Sequence, residues 1–168
     1  MRCPNCKNSS LTGEAELLRT EVVAGVEYRA HLPGWLCANC NGGYVKAVIH
    51  KDYQKRLALA VSKGPPQGDA FRIMRRWLGI SQLEMQKFFG VRGESICRWE
   101  RGRRKVPLSA WYLLAVIVQE TAEKGHSSTL DRLYELNGLD PIESLDLYKG
   151  NPIHMPPPKR GRPRYVPI

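Results

Sequence analysis

The chain has 168 residues, 42% of them hydrophobic and 25% charged, with a formal net charge of +10. That length leaves room for one domain or two small ones, and the longest apolar run, Trp111 to Val118, is too short to span a bilayer, so no membrane partner is expected. Met1-Arg2 leads straight into a cysteine motif, so no secretory leader is expected, and the cysteines belong to a reducing, cytoplasmic setting in which clustered thiols bind metal rather than pair.

The motif is Cys3-Pro-Asn-Cys6, repeated as Cys37-Ala-Asn-Cys40. Two intervening residues let both sulfurs of a knuckle turn toward one metal, and two knuckles close a tetrahedral shell around one Zn²⁺. The alternatives are two disulfides or four unrelated thiols. A closed four-cysteine shell reads as structural, because a catalytic zinc keeps a position open for water. Between the knuckles, Glu14 to Leu32 alternates around Ala24-Gly25 as a β-hairpin. Tyr44 to Val61 places Val45, Val48, Ile49, Tyr53, Leu57 and Val61 near helical spacing. Residues 1–61 therefore form a small zinc-bound β-hairpin module with a helix. Two prolines and two glycines in 62–68 mark a linker.

Residues 69–124 read as all-α. Asp69 caps a helix to about Leu78, stopped by Gly79. Ser81 with Glu84 forms a capping box for a helix from Gln82 to Phe89, ended by Gly90. A third helix runs from about Glu94 to Arg101 and ends at Gly102, and Pro107-Leu-Ser109 opens a fourth through Glu120. A helical extension over 125–149 holds a fifth helix, Leu130 to Leu136, and a short sixth beginning at Asp140-Pro141. Leu83 and Phe88 are expected to pack inward, with Ile96 and Trp99 on the buried face of the third helix. The other face carries Glu94, Ser95, Arg98 and Arg101. Arg98 suits a guanine edge and Glu94 a cytosine amino group, while Arg92, Arg103, Arg104 and Lys105 suit phosphates. Charge agrees: 46–63 is net +4, 64–105 is +6, 106–148 is −5 and 149–168 is +5.

Gly79-Ile-Ser-Gln82 and Val91-Arg-Gly-Glu-Ser-Ile-Cys-Arg-Trp-Glu-Arg-Gly102 resemble the Xre/Cro repressor type of helix-turn-helix, most specifically in the Ile-x-Arg-Trp-Glu-x-Gly stretch. The resemblance implies that Gln82 contacts the DNA backbone and that Glu100 is structural. With the doubled knuckle, residues 1–122 resemble the MqsA (YgiT-type) zinc-finger antitoxin and regulator family. That resemblance implies a structural zinc domain able to bind a toxin, and a C-terminal domain that dimerises on palindromic DNA. Glu94 departs from the Asn of the best-known members, so their operator is not carried over, and 125–168 has no counterpart in the compact members.

The tail, 150–168, holds six prolines and is expected to be disordered. Within it, Arg160-Gly161-Arg162-Pro163 resembles an AT-hook, in which Gly161 lets the backbone lie in a narrow A·T minor groove flanked by Arg160 and Arg162. Cys97 reads as a small packed thiol, His31 as a neighbour of an already complete zinc site, and Trp111, Leu114 and Val118 as a core or dimer stripe. No P-loop, no supported Ser/His/Asp set and no paired catalytic carboxylates are found.

The expectation is an α+β protein: a Cys₄ zinc module, an Xre/Cro-type helix-turn-helix domain and a disordered basic tail. The expected function is a non-enzymatic, sequence-specific DNA-binding repressor. It would act as a homodimer on double-stranded DNA, in a prokaryotic cytoplasm and at the nucleoid when bound. The alternative is an antitoxin that holds a toxin protein through the zinc domain and autoregulates its operon.

Overall fold

The computed structural model describes residues 3, 5–7, 11–140, 153–155 and 164–168. They form an α+β structure of two compact units, Met1–Gln54 with Asp146–Ile168, and Lys55–Leu145. No helix among the described residues is long and apolar enough to cross a membrane.

The first unit is built on an antiparallel sheet. Strand β1 (Leu11–Val23) pairs with β2 (Val26–Cys37), which pairs with the short β3 (Gly43–Val45). Alternation along β2 buries Tyr28, Ala30, Leu32 and Gly34 on one face. Gly34 is required there, since a Cβ would run into the Tyr44 carbonyl of β3. The hairpin turns through Ala24 and Gly25, with φ of 54° and 75°, between the paired Val23 and Val26. Two positive φ values in a two-residue loop are the type I′ signature, which matches the strand twist. Helix α1 (Ala47–Ser62) follows, and Tyr53, 1% exposed, donates from its hydroxyl to Glu21 of β1 at 3.4 Å.

Two sequence expectations change here. Tyr44 to Val61 is not one helix: Gly43–Val45 is recruited as a strand by Gly34–Leu36, and α1 begins only after Lys46. The basic tail is not wholly without structure. β4 (Ile153–Met155) pairs antiparallel with β3, and β5 (Arg164–Pro167) pairs parallel with β2 at Val26–Arg29. Ile153, Tyr165 and Val166 are strand formers, and β2 and β3 offer the unpaired backbone edge that such segments need. The AT-hook-like core Arg160-Gly161-Arg162-Pro163 and the expected sixth helix at Asp140-Pro141 lie outside the described residues.

The second unit begins within α1, where Leu57, Ala58 and Val61 are buried, and includes the Pro- and Gly-rich stretch read as a linker. Helices α2 (Gly68–Trp77), α3 (Gln82–Phe89), α4 (Gly93–Glu100), α5 (Leu108–Lys124) and α6 (Ser128–Leu136) surround a core of Phe71, Met74, Ile80, Met85, Ile96, Trp99, Trp111, Leu114, Ile117 and Val118. The expected stops Gly79, Gly90 and Gly102 all adopt positive φ. The N-cap of α2 is Gln67 rather than Asp69, because Gly68 already joins the helix, where a Cβ would collide with the Trp99 carbonyl. Helix α5 extends past Glu120 to Lys124 before Gly125 turns it, and α6 starts at Ser128 under a Ser127 cap. The capping box of Ser81 and Glu84 is formed as expected. Leu83, however, is 61% exposed, since the box turns Glu84 inward and Met85 fills the core. The stripe Trp111, Leu114 and Val118 is internal core.

Ala24 is an L-residue held at positive φ, a conformation that Asn tolerates far better. Ala24→Asn is expected to stabilise the first unit by about 1 kcal/mol, read as a raised urea midpoint. A lowered midpoint would mean that the turn is not type I′.

Candidate metal centre and basic helical face

Each knuckle folds by the same local rule. The amide of the residue after the second cysteine donates to the carbonyl of the first: Lys7 to Cys3 at 2.9 Å, and Asn41 to Cys37 at 2.8 Å. Lys7 and Asn41 both take left-handed φ, 58° and 52°. That sharp reversal aims both sulfurs of a knuckle to one side.

The result is a single cluster. The Sγ atoms of Cys3, Cys6, Cys37 and Cys40 all lie within 4.8 Å of one another, and all are free thiols. Cys3–Cys40 and Cys6–Cys37 are separated by 3.7 and 3.6 Å. A regular tetrahedron with metal–sulfur bonds of about 2.3 Å has an edge of about 3.8 Å. The spacing therefore fits four thiolates sharing one metal ion. Cys3 and Cys37 are buried, and Cys6 and Cys40 are partly exposed. Trp35 packs against the cluster, with the Lys46 ammonium 5.6 Å from its ring centroid.

A hydrogen bond from Gly42 pulls the Cys40 thiol down, but burial and the neighbouring Cys37 and Cys3 outweigh it, and the thiol is raised above its ordinary value. Crowded thiols resist ionising together, and a bound dication reverses that balance. Burial, then Cys3, pushes the Tyr44 phenol upward. Its hydroxyl lies 3.2 Å from Cys3 Sγ. His31 is not among the cluster's ligands; it is exposed and sits 3.7 Å from Glu16.

In the second unit one buried network sets the positions of α2, α3 and α4. The Arg75 guanidinium grips both Glu100 carboxylate oxygens at 2.5 and 3.2 Å and donates to the Ile80 carbonyl at 2.7 Å. Gln82 donates to the same carboxylate at 2.8 Å. The Gln82 amide, expected at a DNA backbone, is thus engaged with Glu100 while its residue remains exposed. A second clasp joins α6 to α3: the Tyr134 hydroxyl donates to Glu84 at 2.8 Å, and its ring meets Phe88 edge-on at 5.3 Å.

Held this way, α4 buries Ile96 and Trp99 and exposes Glu94, Arg98 and Arg101, with Ser95 half-buried. Arg92 precedes the helix, and Arg103, Arg104 and Lys105 follow it, all exposed. Glu94 and Arg98 pair with each other at 2.5 Å across one turn. Cys97 is half-buried on this helix. Arg160, Gly161 and Arg162 of the tail lie outside the described residues.

Sequence reasoning missed Tyr44, Arg75 and Tyr134. Each acts through a partner at least 25 positions away, which no local spacing signals. No family model and no curated protein matches this chain.

Metal analysis of the purified protein is expected to find one divalent ion per chain. Cys37→Ser should abolish it, and chelation should unfold the first unit while leaving the helical CD signal of the second. Metal content unchanged in Cys37→Ser would remove that cysteine from the shell. Glu100→Ala leaves the Arg75 charge buried and unpaired, a loss of about 3–5 kcal/mol in chemical denaturation. A loss below 1 kcal/mol would show that the pair does not hold the helices.

Proposed function

We propose that this chain is a zinc-stabilised, sequence-specific DNA-binding transcriptional repressor of the MqsA type, acting as a dimer. The observation that carries the reading is the two-sidedness of α4. Ile96 and Trp99 are buried, while Glu94, Arg98 and Arg101 project outward and Arg92, Arg103, Arg104 and Lys105 flank them. On this reading α3 and α4 are a helix-turn-helix of the Xre/Cro type, with α4 entering the major groove by its N-terminal half. Arg98 takes a guanine edge, and Glu94 accepts from a cytosine amino group. Arg92, Arg103, Arg104 and Lys105 contact phosphates and set the register. Gln82, braced on Glu100, presents the start of α3 to the DNA backbone.

The metal is read as zinc, because four thiolates in a closed tetrahedral shell suit Zn²⁺ and leave no position for a reacting water. Its role is structural: the first unit is small, and a metal adds to its limited core by tying the two knuckles together. An exposed apolar stripe on α5, Leu108, Tyr112 and Val116 at 59, 62 and 44% exposure, supports a two-fold partner for paired half-sites.

The test is selection of a binding sequence from random duplexes, followed by titration of variants at two salt concentrations. Arg98→Ala should lose about 1–3 kcal/mol on the selected site and relax preference at one base pair. Lys105→Ala should weaken selected and scrambled DNA alike. No enriched sequence and no salt-dependent binding would overturn the DNA-reading function.

A further inference from the structure

Tyr44 belongs to no motif, yet it lies against a ligand of the metal centre. It sits in β3, opposite Trp35 of β2, and is 1% exposed. Its hydroxyl is 3.2 Å from Cys3 Sγ. The same oxygen is hydrogen-bonded to the backbone of Asn5, inside the first knuckle. The chemistry of the ligand fixes the direction of the Cys3 contact. A metal-bound cysteine is a thiolate and can only accept.

We propose that Tyr44 is a positioning residue of the metal centre, whose buried hydroxyl donates to the Cys3 thiolate and fixes that ligand's orientation. This rests on the metal reading of the four cysteines. Four thiolates around one dication carry an excess of negative charge, and in buried surroundings that excess must be met by hydrogen-bond donors. Cys40 has donors in Gly42 and Asn5. Cys3 is buried and has Tyr44. The hydroxyl also has a mechanical role. Cys3 and Asn5 precede β1 and belong to no strand, so the Asn5–Tyr44–Cys3 relay ties the first knuckle to the sheet that carries the second.

The experiment is Co²⁺ titration of the full chain against a competing chelator, with visible spectra of the bound ion. Tyr44→Phe keeps the ring and removes only the donor. It is expected to lower Co²⁺ affinity about 10- to 100-fold, the usual effect of losing a partner of a ligand, and to shift the thiolate-to-cobalt charge-transfer band. Tyr53→Phe is the control: it removes an equally buried hydroxyl that bonds Glu21 instead, and should leave affinity and spectrum unchanged. If the wild type binds no Co²⁺ or Zn²⁺, the metal reading itself fails. If the wild type binds and Tyr44→Phe matches it in affinity and spectrum, the role of Tyr44 is overturned. A measurement without substitution stands beside these. In wild-type chain loaded with ¹¹³Cd²⁺, the Tyr44 hydroxyl proton should exchange slowly and couple to cadmium through the sulfur. Absence of that resonance in a protein that holds cadmium also overturns the proposal.

Discussion

The helical unit depends on a charge pair that it buries. Arg75 and Glu100 are 8 and 6% exposed, on helices separated by the whole of α3. Removing two charges from water is costly, and the cost is offset only where geometry and further hydrogen bonds satisfy both groups. Here the guanidinium reaches both carboxylate oxygens and the Ile80 carbonyl, and the carboxylate also accepts from Gln82. Those four groups come from α2, the α2–α3 turn, α3 and α4. An apolar pair could fill the same volume, but it would not dictate one angle between the helices. The directional bonds of a fork and a carboxylate do, and the angle decides which side of α4 faces out.

Arg98, Arg101, Arg103 and Arg104 are exposed, and among the described residues Arg98 pairs with Glu94. Exposed pairs such as Glu94–Arg98 contribute little to stability. The stability of the helical unit therefore does not rest on these exposed cations.

Much of the helical unit was legible because its signals are local. Ser81 and Glu84 are three apart, Gly79, Gly90 and Gly102 close their turns within one residue, and Ile96 and Trp99 share a face by helical spacing. The four-cysteine cluster was legible for the same reason, since a two-residue spacing within each knuckle is itself a geometric statement. What escaped was set at a distance. Tyr44 reads as a helix start until β2 is there to pair with it. Leu83 reads as core until Glu84 is drawn inward by Ser81 and Tyr134. The pairing of Ile153–Met155 and Arg164–Pro167 needs the edges of β3 and β2, which lie more than a hundred residues earlier. Propensity can say that a tail holds few apolar residues, but not that a sheet elsewhere has an open edge.

The two units also differ in what can perturb each. Lys55–Leu145 has a continuous apolar core with several aromatic side chains, so its stability follows buried area and responds to core substitutions. In Met1–Gln54 the described residues of the two knuckles share a buried cluster of Cys3, Cys37 and Tyr44, with Cys6, Trp35 and Cys40 packed against it. Four thiols close enough to bind one metal ion lie there, so oxidants and competing chelators, which act on thiols and their metals, bear on this unit directly. Tyr44 shows how closely the surrounding fold is fitted to that chemistry. Its buried hydroxyl, which an apolar core would not tolerate unpaired, lies against Cys3 of the knuckle that precedes the sheet.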